Sequence, residues 1–343
     1  MSNTRENRKK RGGSMSSRVS PAWWPALLIA SPILVPLLAI RNVRFTRDRA
    51  RAESENHARI DSASSLDLPL VNDLKVRVLS EWRAKEGFKG EPGVSYLFQT
   101  EHGTLLYDIA FGDESGVVPF NAERLGVTAQ DIDAVAVSHL HNDHMGGLQA
   151  FRSMQLGYPK SLRPSQSIPC FLPAQATAPG FETLVVRGPR MLAAGIASTG
   201  PLARRLFFLG WLEEQALLVH LRDKGLVIFS GCGHPTLPMI LDMVRKISSE
   251  PIYAIGGGLH LPLTGGRAGP PGIDLQTILG TGKPPWKRIE EADVEHVIHA
   301  IRTASPQRVY LSAHDSCDEA LRRIDDALDC HVEVLEAGGT YIL

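Results

Sequence analysis

Reactive side chains are densest in the run Ser138-His139-Leu140-His141-Asn142-Asp143-His144-Met145-Gly146-Gly147. On an extended backbone, side chains two residues apart point the same way, so His139 and His141 can reach one cation. Asp143 and His144 then turn back toward a second position. Neutral imidazole and carboxylate suit zinc, iron or manganese. The glycine pair allows a sharp turn, so a helix can begin close to the metal.

The elements that must position these groups follow from the flanking pattern. The apolar run from Asp133 to Ser138 reads as a buried strand that delivers the histidines at its carboxyl end. The same rule recurs three times. Leu226 to Ser230 leads into Gly231-Cys232-Gly233-His234-Pro235, Pro251 to Ile255 into Gly257-Gly258-Leu259-His260-Leu261, and Arg308 to Leu311 into Ser312-Ala313-His314-Asp315. Strands ending in metal-type residues, each followed by a helix or loop, are the expected site architecture of a layered α/β protein.

On these motifs the chain resembles the metallo-β-lactamase superfamily, whose signature is His-x-His-x-Asp-His, from about Leu74 to the C-terminus. The three later stretches are similar to its branch named for dihydropterin-ribofuranosylaminobenzene-phosphate synthase. The resemblance implies a four-layer αββα sandwich with the site at one edge, where its two halves meet. It also implies one or two divalent metals, zinc by default, and a small-molecule substrate. Metal-activated water would hydrolyse an ester, lactone or phosphoester, with Asp143 orienting the nucleophile.

The superfamily's usual ligand count does not close here. No histidine occurs between His144 and His220, His220 falls mid-strand, and Cys232 stands where an aspartate is usual. The resemblance therefore implies His139, His141 and either His234 or His260 on one metal, with Asp143, His144 and His314 on the other. Cys232 either bridges as a thiolate or sits inert. Asp108 is expected in a supporting role, and Glu213 and Glu214 as partners that fix an imidazole. His57, His102, His296, His299 and His331 read as structural or surface residues. Two further readings stay open: a pterin-related synthase, that is, a transferase, and a membrane-tethered metal-binding protein without turnover.

Acidic and basic residues balance at 37 each among 343, so no global field favours nucleic acid. The four cysteines show no CxxC spacing and do not reveal the compartment. Residues 1–18 read as a basic disordered tail. Residues 19–40 carry no charge and are long enough to cross a hydrocarbon layer, which takes about 20 residues. Trp23 and Trp24 suit an interface, whereas Pro21, Pro25, Pro32 and Pro36 weaken a helix. A single-span anchor in a bacterial inner membrane is the expectation, with its side undetermined; a cleaved signal peptide and a soluble apolar segment are the rivals. Residues 41–73 read as a charged linker, either a juxtamembrane helix or a tether, and 74–343 as the folded domain. Within that domain 151–200, rich in proline, and 261–290 are expected to be inserted loops near the site.

Overall fold

The computed structural model describes residues 19–267 and 272–343; the expected basic tail, 1–18, lies outside them. Among the described residues, apolar strands assemble into two large sheets. The first has the order Thr340–Ile342, Lys75–Ser80, Ser95–Thr100, Gly103–Tyr107, Ala134–Ala136, Pro169–Leu172, Glu182–Val185. The second runs His331–Val334, Arg308–Leu311, Ile252–Gly257, Gly225–Ser230, Leu217–Leu221, Ala197–Ser198, Arg190–Met191, with Leu70–Val71 added beside Leu217–Leu221.

Aromatic side chains fill the space between the sheets. Phe98 meets Phe229 edge-on with ring centroids 5.0 Å apart, and Tyr96, Tyr107 and Tyr310 are buried in the same cluster. The helices Leu237–Ile247, Glu291–Ala304 and Asp318–Ala327 cover the outer face of the second sheet with Ile240, Val244, Val294, Ile298 and Ile324. Val117–Arg124 and Leu148–Ser153 cover the first through Val118, Ala122 and Ala150. Helix, sheet, sheet, helix is the expected four-layer sandwich.

Parallel pairing places the chemistry. Gly225–Ser230, Ile252–Gly257 and Arg308–Leu311 run parallel, so the residues that follow them emerge at one edge. Gly103–Tyr107 and Ala134–Ala136 are also parallel, which sets Asp108 beside Ser138 and His139 at the facing edge.

One sequence expectation about the fold needs correction. Residues 151–200 are not a structureless insertion. They contain Pro169–Leu172 and Glu182–Val185, which extend the first sheet, and Arg190–Met191 and Ala197–Ser198, which extend the second. These strands are two to four residues long, too short to show a period, and prolines punctuate the turns between them. The helix Glu291–Ala304 opens on a capping box between Glu290 and Asp293. The apolar N-terminal segment and most of the charged one form a single helix, α1, Trp24–Ser62, with Pro32 and Pro36 inside it, which is the helical alternative for the charged segment.

The two parts of α1 differ in environment. From Trp24 to Ile40 its side chains are largely exposed. From Phe45 on it packs against the hairpin Leu202–Leu206/Gly210–Glu214. Asn56 there exchanges two hydrogen bonds with the Ala203 backbone (2.8 and 2.6 Å), and Arg59 pairs with Glu213 at 2.5 Å.

Candidate metal centre

Asp108 organises the first half of the site. Its carboxylate accepts from Ser138 N (2.6 Å), from Ser138 Oγ (2.7 Å) and from His144 Nδ1 (2.7 Å). Ser138 Oγ, having donated to Asp108, accepts from His139 Nδ1 at 2.9 Å. The pattern assigns both imidazoles a protonated Nδ1 and a bare Nε2. His139 Nε2 lies 3.1 Å from His141 Nδ1, as two donor atoms aimed at one cation would.

The second half repeats this device. Ser312 Oγ donates to Glu81 and accepts from His314 Nδ1 at 2.5 Å. Glu81 is buried and is held by Tyr96 OH (2.6 Å) and the Trp82 amide (2.9 Å). His314 Nε2 is thereby left facing Cys232 Sγ at 3.1 Å, and His144 Nε2 faces the same sulfur at 3.1 Å. Gly231 makes this approach possible, because a Cβ there would collide with Ser138 Oγ.

Glu214 corrects another expectation. It fixes no imidazole. Its carboxylate accepts the amides of Gly231 (3.1 Å), Cys232 (3.1 Å), Gly233 (2.8 Å) and His234 (2.8 Å), and so shapes the turn that presents Cys232 and His234. Burial raises its pKa to about 7 against the lowering effect of those amides. Glu213 is spent on Arg59.

His234 and His260 complete the lining without such tethers. The His234 ring lies 4.9 Å from that of His139, 5.1 Å from His141 and 4.7 Å from His260. His234 Nε2 and both ring nitrogens of His260 are buried with no hydrogen-bond partner. His260 adopts φ 52°, a left-handed backbone that costs of order 1–3 kcal/mol outside glycine. Asp315 accepts the His260 amide at 3.0 Å and lies 3.9 Å from His314 Nε2.

Four overlapping groups have donor atoms within 4.8 Å of one another: His139 with His141 and Asp143; His139 with Cys232 and His234; Asp143 with His144, Cys232 and His314; Cys232 with His260 and Asp315. Burial and neighbouring imidazoles push His139, His234 and His314 well below the ordinary histidine value, and burial takes His141 and His260 to about 3. Burial also depresses His144, but Asp108 and Asp143 outweigh it and lift the ring to about 9, so a cation held at Nε2 would take the place of a proton there. Burial holds the Cys232 thiol and the Asp315 carboxyl well above their usual values, with nearby carboxylates adding to the effect. Packing so many carboxylates and bare imidazoles together is costly unless a cation joins them. The orphaned nitrogens and the N, O and S donor set fit one or two divalent ions.

All eight sequence-proposed metal residues, His139, His141, Asp143, His144, Cys232, His234, His260 and His314, thus converge on one edge. His57, His102, His296, His299 and His331 occur in none of these groups. Sequence reasoning missed Asp315, although it adjoins His314 in a motif already singled out. It also missed Ser138, Ser312 and Glu81 as tethers, and Arg204. Arg204 makes no hydrogen bond or close ion pair among the described residues, although the Glu53 and Asp293 carboxylates act on it, and it is near enough to His234 and His260 to depress both.

The fold is the metallo-β-lactamase sandwich, and the site is similar to the metal centres of that superfamily. The superfamily's family model matches residues 89–153. A curated relative, 7,8-dihydropterin-6-methyl-4-(β-D-ribofuranosyl)-aminobenzene-5′-phosphate synthase of Methanocaldococcus jannaschii, is 26% identical over 245 residues, covering 57% of this chain and 80% of that protein. Among solved structures, Tm1679, described as a metal-dependent hydrolase of the β-lactamase superfamily, superposes with a TM-score of 0.56 at 19% identity. It covers 78% of this chain and 98% of its own.

Proposed function

We propose that this chain is a metal-dependent hydrolase of a small ester, lactone or phosphoester, attached through its N-terminal helix to a membrane, a bacterial inner membrane being the natural candidate. The observation that carries the reading is the convergence of His144 Nε2 and His314 Nε2 on Cys232 Sγ at 3.1 Å each, with both rings anchored from behind. His139, His141 and His234 would hold one ion, taken as zinc, and Asp143, His144 and His314 a second, with Cys232 between them. A divalent ion there supplies Lewis acidity and a nucleophilic water at neutral pH.

The chain's own groups do the rest. Asp143 accepts a proton from the attacking water and orients it. Glu214 fixes the turn under the reacting centre. Arg204 offers a guanidinium with no close ion pair beside His234 and His260, which suits an anionic group on the substrate and favours a phosphoester. The synthase relative supports a second reading, group transfer to a pterin-linked substrate on the same centre.

The test is metal analysis of the purified chain with turnover screened over ester, lactone, phosphodiester and pterin substrates. The expected result is phosphoester hydrolysis that disappears with chelator and in a folded Asp143→Asn variant. Bound metal with turnover only on the pterin pair would favour the transferase. Bound metal without turnover on any class would leave a metal-binding protein and refute catalysis.

A further inference from the structure

The apolar helix has both of its ends on the same folded unit. At its start, Ser20 N donates to the Gly272 carbonyl at 2.7 Å, and Val19 pairs with Ile273 in an antiparallel bridge. Further along, Arg41 donates through Nε and Nη2 to the carbonyls of Phe207 and Phe208, each at 2.8 Å. Phe207 in turn rests edge-on against Trp286 with centroids 5.4 Å apart. Both contacts therefore reach residues 272–286, which also line the candidate metal centre. Gln276 Nε2 donates to the His314 carbonyl at 2.9 Å, and Gly280 lies against His260 Nε2, where a Cβ would collide.

About 20 helical residues separate the two contacts, a length of roughly 30 Å. The hydrocarbon layer of a bilayer is also about 30 Å thick. A helix standing upright in it would put Gly272 and Ile273 a full layer away from Phe207 and Phe208. The irregular backbone that joins Ile273 to Trp286, residues 280–285, would then lie at hydrocarbon depth. Peptide groups outside helices and closed barrels find no partners there. A helix lying flat meets no such conflict.

The side chains fit the flat placement. Leu28, Ile29, Ile33, Val35, Ile40 and Val43 are each more than half exposed, whereas Leu34, Leu38 and Arg41 are half-buried and lead at helical spacing into buried Phe45. Trp23 and Trp24, both exposed, suit the headgroup boundary. Exposed Arg44, Arg47 and Arg51 continue the helix beyond the apolar stretch and would meet anionic headgroups.

We propose that α1 lies in the plane of an anionic bilayer surface instead of crossing it, with Ser20 and the folded domain on the same side. The proposal deepens the membrane attachment above and is independent of the hydrolase reading. Its partner is the bilayer itself, since no charged side chain interrupts Val19 to Ile40.

Sidedness and depth test it in membrane vesicles of one defined orientation, prepared from cells expressing the full chain. Cys170, Cys232 and Cys317 are buried, so a Cys330→Ser background leaves an introduced thiol as the reporter. Ser20→Cys and Glu86→Cys should show the same pattern with a membrane-impermeant maleimide, both labelled before lysis or both only after it. A fluorophore on Ile33→Cys should be quenched most by lipids carrying the quencher near the headgroup. Labelling of the two positions from opposite sides, or strongest quenching at the bilayer midplane, would overturn the proposal in favour of a span. Recovery of the full chain in the soluble fraction would overturn both it and membrane attachment, whatever the enzyme assays show.

Discussion

Two kinds of histidine line the metal centre, and they differ in what stands behind the ring. His139, His144 and His314 each spend Nδ1 on a serine or carboxylate, which fixes the ring and leaves Nε2 bare. His234 and His260 keep ring nitrogens with no hydrogen-bond partner, the nearest carboxylate being Asp315 at 3.9 Å from His260 Nδ1. A tethered imidazole is rigid before any ion arrives, whereas an untethered one gains its only polar contact from the ion or the substrate. The tethered group thus reads as the permanent frame, and the side of His234, His260 and Arg204 as the one that meets the substrate.

The largest effect should come from breaking the frame. His144→Ala or His314→Ala should lower turnover by more than about 100-fold and reduce bound metal, measured by elemental analysis of folded protein. If His260→Ala lost as much metal as either, the distinction would fall. Removing a tether while keeping the ring is the sharper test. Asp108→Asn or Ser312→Ala should weaken metal affinity or activity by about 10–100-fold, read in a competitive chelator titration.

Next comes the carboxylate under the turn. Glu214→Gln should cost about 2 kcal/mol in denaturant unfolding of the metal-free protein at pH 9, above the Glu214 pKa of about 7, because amides bonded to a charged acceptor lose their stronger partner. On the substrate side, Arg204→Ala should raise KM for a phosphoester about tenfold with kcat unchanged, as the loss of one charge contact to the substrate would. A fall in kcat with KM unchanged would move Arg204 from substrate binding into the frame.

The smallest effect lies outside the site. Arg267 and Arg83 lower the Asp318 pKa from 3.8 to about 2. The unfolded chain therefore binds the extra proton first as acid is added. The stability from these pairs is complete above pH 3.8 and lost as pH falls through about 2. Asp318 is mostly exposed, so Asp318→Asn should remove less than about 1 kcal/mol, measured by thermal melts at pH 7 and absent at pH 2.

The strand-end rule made much of this legible in the sequence. The runs before His139, Cys232, His260 and His314 are long, apolar and bounded by glycine, so their direction and the placement of their last residues could be read locally. That His234 would stand beside His139 and His141 was legible too, because the expected ligand count had to close with His234 or His260. What stood behind the ligands was not. Glu81 supports Ser312 from 231 residues away, and Glu214 reaches amides 17 to 20 residues on, through contacts that no local period encodes. Glu214 could be suspected near the missing histidine, but its acceptors were misjudged, since a carboxylate beside a glycine-rich turn serves backbone as readily as a ring. The short strands of 151–200 were hidden for a different reason: pairing at sheet edges, not side-chain alternation, defines them.

Glu214 gathers four consecutive amides without any ion taking part. Small zinc domains unfold when stripped, because the ion itself closes their loops. Here the loop carrying Cys232 and His234 is closed by the protein's own carboxylate. A demetallated molecule should keep its shape and wait, ready to be refilled without folding again.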